Sequence, residues 1–344
     1  MNKRTLIIEA LKELHLASSA QLSNRLATHF SLATLKRNLA VLVSENIIEI
    51  TGKGKASKYS IHPYYDVFMP IDVAEYYLQE IDDRKIKKQF NWNLLTTILP
   101  SLSLFTSEES KVLEEYQELF KKNISGLTAA EYNKEIERLA IDLSWKSSQI
   151  EGNTYSLLET EILLKDKLTA QGKTKDEATM LLNHKEAMDF LLENKKYVTP
   201  LSTSKIEDIH SLLIKELEVA RNIRKRKVGI SGTNYQPLDN DFQIMEALDT
   251  ACNLVNSKAN VFEKALLILL LISYIQPFVD GNKRTARIVC NALLLDNGFC
   301  PLSFRTVDAL HYKKAILLFY EQNNISAFKK IFMEQYAFAV ETYF

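Results

Sequence analysis

Apolar residues recur at helical spacing along most of the chain, and the pattern changes character only in a few places. Near the start, Thr5–Leu16, Ala20–Thr28 and Leu32–Ser44 each carry apolar positions three and four apart, which predicts three short helices. Ser18 or Ser19 and Ser31 stand where N-caps belong. The period then shortens. Ile47-Ile48-Glu49-Ile50 favours a strand, Gly52-Lys53-Gly54-Lys55 favours a turn, and Lys58-Tyr59-Ser60-Ile61 favours a second strand, together a β-hairpin. Residues 63–105 hold many aromatic residues, among them Tyr64, Tyr65, Phe68, Tyr76, Tyr77, Phe90 and Trp92, and predict a packed, helical connector rather than a flexible tether.

From residue 106 onward helices dominate. Thr106, Thr128, Thr174 and Ser204 are each followed three residues later by Glu and then by an apolar-periodic run, four expected capping boxes. The stretch Phe262–Ile275 has no polar face and therefore belongs at the centre of a domain. A further helix is expected over Arg284–Asn297, stopped by Gly298. The prediction is a mainly α protein in three parts: a small module at 1–62, the connector at 63–105 and a helical domain at 106–344 with its core at about 106–330.

Composition narrows the function classes. Only 9 Gly and 7 Pro occur in 344 residues, which argues against turn-dense sandwiches, barrels and propellers. No GxGxxG, GxxxxGK(S/T) or HExxH string is present. Cys252, Cys290 and Cys300 lack metal-site spacing and sit in apolar surroundings, as buried free thiols do. No stretch has the pattern of a secretion signal or the roughly 20 apolar residues of a membrane span, so a cytoplasmic protein without membrane contact is expected. The 43 basic and 43 acidic residues cancel overall, yet residues 1–62 hold nine Lys/Arg against four Asp/Glu. A basic module joined to an acidic one is implied.

The basic module resembles a winged helix-turn-helix domain. Its third helix, with Thr34, Lys36, Arg37 and Asn38 on polar positions, would be the recognition helix, and Lys53, Lys55 and Lys58 would dress the wing. Such side chains suit phosphates and base edges, so double-stranded DNA is one expected partner.

The segment with the most chemistry is Gln276-Pro277-Phe278-Val279-Asp280-Gly281-Asn282-Lys283-Arg284-Thr285-Ala286-Arg287. It leaves the apolar helix and opens the next one, so its amide groups and cations converge on a helix N-terminus, an anion site. Arg284 and Arg287 are three apart and share a face. Cations are unfavourable in a first helical turn unless an anion compensates them.

Here the chain resembles the Fic (Fido) family, whose signature is HxFx(D/E)GN(G/K)RxxR. Phe278, Asp280, Gly281, Asn282, Lys283, Arg284 and Arg287 match it. The resemblance implies transfer of AMP from ATP to a Ser, Thr or Tyr hydroxyl of a target protein. It further implies Mg²⁺ at Asp280, phosphates at Gly281, Asn282, Lys283, Arg284 and Arg287, and Phe278 as the loop's anchor. One position departs. Gln276 stands where the family has its catalytic His, and a carboxamide cannot accept a proton near neutral pH. General-base catalysis is worth roughly 10²–10⁴-fold, so the resemblance implies a slowed transferase that still binds ATP.

Two more segments fit the family. Ser147-x-x-x-Glu151-Gly152, at the end of a predicted helix, matches the inhibitory pattern (S/T)xxxE(G/N), which implies a Glu151–Arg287 salt bridge that misplaces ATP. Arg224 to Pro237, with Val228 and Ile230 alternating before Gly232, reads as a short hairpin and resembles the family's flap; Tyr235 would pack on adenine. Two alternatives remain at this level: a non-catalytic, nucleotide-responsive DNA-binding regulator, and a hydrolase removing AMP from a modified protein. Fic-like proteins also often form homodimers.

Overall fold

The computed structural model describes residues 3–29, 31–44, 47–62 and 64–344, without the side chain of Lys55. The chain forms two compact units, Met1–Pro70 and Ile71–Phe344.

In the first unit, α1 (Lys3–Leu14), α2 (Ser19–Arg25) and α3 (Leu32–Ser44) accompany β1 (Ala17–Ser18), β2 (Ile48–Thr51) and β3 (Lys58–Ile61). The strands make an antiparallel sheet in the order β1-β3-β2, with Ile48 opposite Ile61 and Thr51 opposite Lys58. Ser18 caps α2 in a reciprocal box with Gln21, and the Ser31 hydroxyl accepts from the Thr34 amide at the start of α3. Leu35, Leu39 and Leu42 fall on one face of α3 and meet Ile7, Leu11, Leu22 and Ile48 in the core. Lys36 and Arg37 are left exposed on α3, as are Lys53 and Lys58 around the hairpin. Thr34 and Asn38 are half-buried, and the Asn38 amide is spent on the Thr34 carbonyl at 2.8 Å. The Lys55 side chain lies outside the described residues.

The second unit is built from α4 (Ser107–Ser125), α5 (Ala129–Ile150), α6 (Leu157–Asp166), α7 (Lys175–Glu193), α8 (Thr203–Leu213), α9 (Asp241–Ser257), α10 (Val261–Ile275), α11 (Asn282–Asp296), α12 (Ala309–Gln322) and α13 (Ser326–Tyr343). Helix α10 is buried from Phe262 to Ile275 except at Lys264, and it packs most extensively against α11. Reciprocal boxes close the starts of α4, α5 and α7 at Thr106, Thr128 and Thr174, and a fourth forms at Ser156 on α6. The box expected at Ser204 does not form. Helix α8 starts earlier, with Ser202 in the cap position, so Ser204 already lies inside the first turn. Gly298 ends α11 in the left-handed conformation, with the Phe299 amide reaching back to the Leu294 carbonyl.

The connector is less helical than expected. Residues up to Pro70 join the first unit and the remainder joins the second, with only short helical turns at Tyr65–Phe68, Val73–Tyr76, Leu94–Ile98 and Leu99–Ser101. Its aromatic residues serve tertiary packing instead of a helical period. The Tyr76 hydroxyl donates to Glu321 Oε2 at 2.7 Å, the Tyr77 hydroxyl donates to the Lys314 carbonyl, and Phe90 stacks on Tyr274. Arg84 pairs with the buried Glu321 at 3.4 Å over the Tyr77 ring.

The three cysteines are buried free thiols, and burial pushes Cys252 up to about 12. Among the described residues, no helix is long and apolar enough to cross a membrane.

Candidate functional site

The loop between α10 and α11 begins at Gln276, in the left-handed conformation at φ 52°. Its side chain is held at both ends. The amide donates to the Ser273 carbonyl at 2.6 Å, and Oε1 accepts from Asn282 Nδ2 at 3.0 Å. Asn282 closes the loop on itself, accepting from the Phe278 amide and donating to the Phe278 carbonyl, both at 2.8 Å. Phe278 is fully buried and its ring lies flat on His210, 3.6 Å between centroids. Gly281 turns the chain into α11 at φ 79°. A Cβ there would approach His210 Cε1 to 3.1 Å, so both conformation and space require glycine.

The first turn of α11 then carries Asn282, Lys283 and Arg284, with Arg287 one turn on. Amides at a helix start have no intrahelical partner and point toward whatever sits at the N-terminus. Arg284 is almost wholly buried; Nη2 reaches Asp280 Oδ2 at 3.2 Å, and Nη1 is buried without a hydrogen-bond partner. Burial lowers the Arg284 pKa, and Asp280 only partly offsets this. Such an orphaned donor beside a helix N-terminus fits a phosphate oxygen.

Arg287 is fully buried and bound by α5 through Nε and Nη2, while Nη1 is buried without a hydrogen-bond partner. Its Nε donates to Ser147 Oγ at 2.7 Å, and Nη2 donates to the Ser147 carbonyl at 3.0 Å and to Glu151 Oε1 at 2.7 Å. The second Glu151 oxygen takes Lys283 Nζ at 3.0 Å. Glu151 occupies the C-cap of α5, and Gly152 follows at φ 106° to turn the chain away. Burial raises the Glu151 pKa, but Arg287 and Lys283 outweigh it and hold the carboxyl at about 2. The ion pair expected between Glu151 and Arg287 is therefore present, with Lys283 as an additional partner.

Residues without any sequence signal complete the site. His184 on α7 contacts Ser147 Oγ at 2.7 Å, and burial keeps its pKa well below the usual value, so it stays neutral. His210 on α8, drawn down to about 4 by burial, backs the loop through Phe278 and Thr285. Tyr312 lies under Arg287, 5.3 Å from guanidinium carbon to ring centre. Histidines in amphipathic helices read as core or surface residues; only packing against the loop reveals these two.

The segment after Arg224 corrects two expectations. No hairpin forms: Val228 and Ile230 belong to no strand, and the chain turns at Gly232. The returning arm pairs elsewhere, through a single parallel bridge between Gln236 and Gln89, with the Gln236 amide donating to the Lys88 carbonyl at 2.7 Å. Tyr235 is core, not a face for adenine. Its ring stacks on Tyr274 at 4.8 Å and its hydroxyl donates to the Tyr274 carbonyl.

Among the described residues, no group of three or more His, Cys, Asp or Glu could hold a metal ion. Both Asp280 oxygens have partners within the loop, Oδ1 accepting from the Gly281 amide at 2.6 Å and Oδ2 from Arg284 at 3.2 Å.

Helices packed around a buried apolar helix thus carry a polar loop that opens onto a helix N-terminus. Residues 200–294 match the sequence model of the Fic/DOC family. The chain is similar to the protein adenylyltransferase Fic of Drosophila willistoni, 24% identical over 222 residues, covering 60% of this chain and 44% of that protein. It is also similar to that of Nematostella vectensis, 29% identical over 179 residues, covering 49% and 40%. The chain thus spans less than half the length of these relatives. Among solved structures, Fic-1 from Caenorhabditis elegans superposes with a TM-score of 0.60 at 20% identity, covering 69% of this chain and 72% of that one. That likeness establishes a shared Fic fold.

Proposed function

We propose that residues 71–344 are a Fic-type protein adenylyltransferase scaffold that binds ATP with Mg²⁺, is held in check by Glu151 and is slowed by Gln276. The observation that carries this reading is the carboxylate of Glu151 on Arg287 and Lys283. A carboxylate there stands in for a phosphate oxygen, in a loop where a further buried arginine donor has no partner. Arg284 and the first amides of α11 would hold the inner phosphates, and Arg287 with Lys283 the outermost one once Glu151 withdraws. Asp280 would hold the Mg²⁺, which neutralises phosphate charge. A hydroxyl of the target would attack the α-phosphorus as pyrophosphate leaves on the opposite side. Position 276 would have to accept the hydroxyl proton, and Gln276 cannot: its carboxamide is neutral and both its ends are engaged.

The test is transfer of label from [α-³²P]ATP by the Gln276→His/Glu151→Gly double variant. Labelled protein, on itself or in a lysate, is the expected result; none, with ATP still bound, sinks the transferase reading.

The engaged side chain of Gln276 favours a second reading for the native chain: a nucleotide-occupied regulator that transfers nothing. The first unit, which resembles a winged helix, would be its output by binding duplex DNA through Thr34, Lys36, Arg37 and Asn38 of α3 and the lysines of the hairpin. Exposed Lys36 and Arg37 beside three helices and a small sheet support this.

A further inference from the structure

The Ser147 hydroxyl has a single proton and two polar neighbours. Arg287 Nε, which can only donate, lies 2.7 Å from Oγ, so the oxygen accepts from it. The other neighbour is His184 Nε2, also at 2.7 Å. Among the described residues the hydroxyl has no further hydrogen-bond partner, so its proton goes to Nε2. The imidazole must then be neutral and carry its own proton on Nδ1, an atom buried without a hydrogen-bond partner. Burial, with Arg287 and Arg284 nearby, keeps the ring uncharged. A buried N–H left unpaired is costly, which marks the ring as placed for its other nitrogen. The result is a relay of fixed sense, from Arg287 Nε–H to Ser147 Oγ–H to His184 Nε2, tying α11 to α5 and α5 to α7.

Ser147 and Glu151 grip different parts of the guanidinium. Ser147 takes Nε through its hydroxyl and Nη2 through its carbonyl, whereas Glu151 reaches only Nη2. Helix α7 also holds the chain just beyond Glu151. Asn153 Nδ2 donates to the Glu177 carbonyl at 2.8 Å, and the Thr154 amide donates to Glu177 Oε1 at 2.9 Å. With the main chain fixed on both sides, the Glu151 side chain can swing away while Ser147 stays on Nε.

We propose that His184 is a positioning residue which, through the Ser147 hydroxyl, holds the Arg287 guanidinium in place for the outermost phosphate of ATP as it does for Glu151. This rests on the adenylyltransferase reading above. Ser147 and Glu151 then have opposite effects although they share a helix. Glu151 competes with the phosphate, while Ser147 and His184 order the arginine that receives it. An arginine ordered before the anion arrives loses less rotamer freedom on binding it.

Two measurements on the full chain test this. Nitrogen NMR with labelled histidine and arginine reads the relay without nucleotide. In the native chain near neutral pH, His184 should show a protonated Nδ1 and a bare Nε2. The Arg287 Nε–H should exchange at least about tenfold faster in His184→Phe, and by less in His184→Gln, whose carboxamide oxygen can still accept. A proton on Nε2, or exchange unaltered in His184→Phe, overturns the relay. The second measurement is calorimetry in the Glu151→Gly background, where no carboxylate competes. His184→Phe should weaken ATP binding about tenfold and ADP binding little, and His184→Gln should recover part of the loss. Once Ser147→Ala has removed the hydroxyl, adding His184→Phe should change ATP affinity no further. Equal weakening of both nucleotides, or an undiminished effect of His184→Phe without that hydroxyl, shows packing alone and overturns the proposal. Ser147→Ala leaves the imidazole in place, so it gives the same comparison of ATP with ADP should His184→Phe not fold. If Glu151→Gly binds no ATP, the adenylyltransferase reading fails instead, and the NMR alone decides whether His184 positions Arg287.

Discussion

Glu151 Oε1 lies 2.7 Å from Arg287 Nη2, at the meeting of the C-terminus of α5 with the first turns of α11. The guanidinium is fully buried and receives no other carboxylate in the described residues. Removing one partner of a buried pair leaves the other charge uncompensated, at a cost of about 3–5 kcal/mol. Glu151→Gln should therefore unfold at lower denaturant than the native chain, and saturating ATP should restore most of the loss by supplying the missing anion. Chemical denaturation with and without nucleotide reads both effects.

The same pair has a definite pH dependence. The Glu151 carboxyl is held at about 2 in the folded chain, against roughly 4.3 when unfolded. A lowered carboxylate pKa contributes stability that is present above the unfolded value and lost as pH falls toward 2. The native chain should lose this contribution between about pH 4.5 and pH 2, and Glu151→Gln should lack that part of the decline. His210, at about 4, and His184 are lowered too, so protonating them costs stability as pH falls below about 6.5. Glu151 remains ionised from pH 6 to 9, and no change in that range should release Arg287. Urea midpoints across pH for both proteins measure this.

Gly281 carries both a backbone and a packing constraint. Alanine at φ 79° costs about 1–2 kcal/mol, and its Cβ would press on His210. Gly281→Ala should lower the unfolding midpoint and weaken ATP binding by about tenfold or more, since the displaced amides head the anion site. His210→Ala in the same background should recover stability by making room, without recovering the φ penalty.

If the first unit binds duplex DNA, affinity must fall steeply with salt. Neutralising Lys36 and Arg37 must then flatten that slope by about one unit for each phosphate they cease to neutralise. Fluorescence anisotropy with a duplex library at low salt checks it. Absence of any duplex affinity there removes DNA from the account.

The chemistry of residues 276–287 is legible in the sequence because every group lies within one loop and one helical turn, where spacing alone brings Asp280, Arg284 and Arg287 together. Ser147 and Glu151 can also be read, being four apart on one helix. The hairpin expected at 224–237 fails because alternation at Val228 and Ile230 says that a strand can form, not what pairs with it; Tyr235 and Gln236 are claimed by Tyr274 and Lys88 from distant segments. His184 and His210 carry no signal at all. Each acts through a neighbour more than 35 residues away, on packing that only the assembled helices create.

On the proposed function, Glu151 occupies the place of the outermost phosphate. Calorimetric titration of ATP and ADP into the native chain and Glu151→Gly tests it most directly. Glu151→Gly should bind ATP at least about tenfold more tightly than the native chain, a gain of about 1.4 kcal/mol, while ADP gains much less. Equal tightening for both nucleotides, or none for ATP, would contradict it.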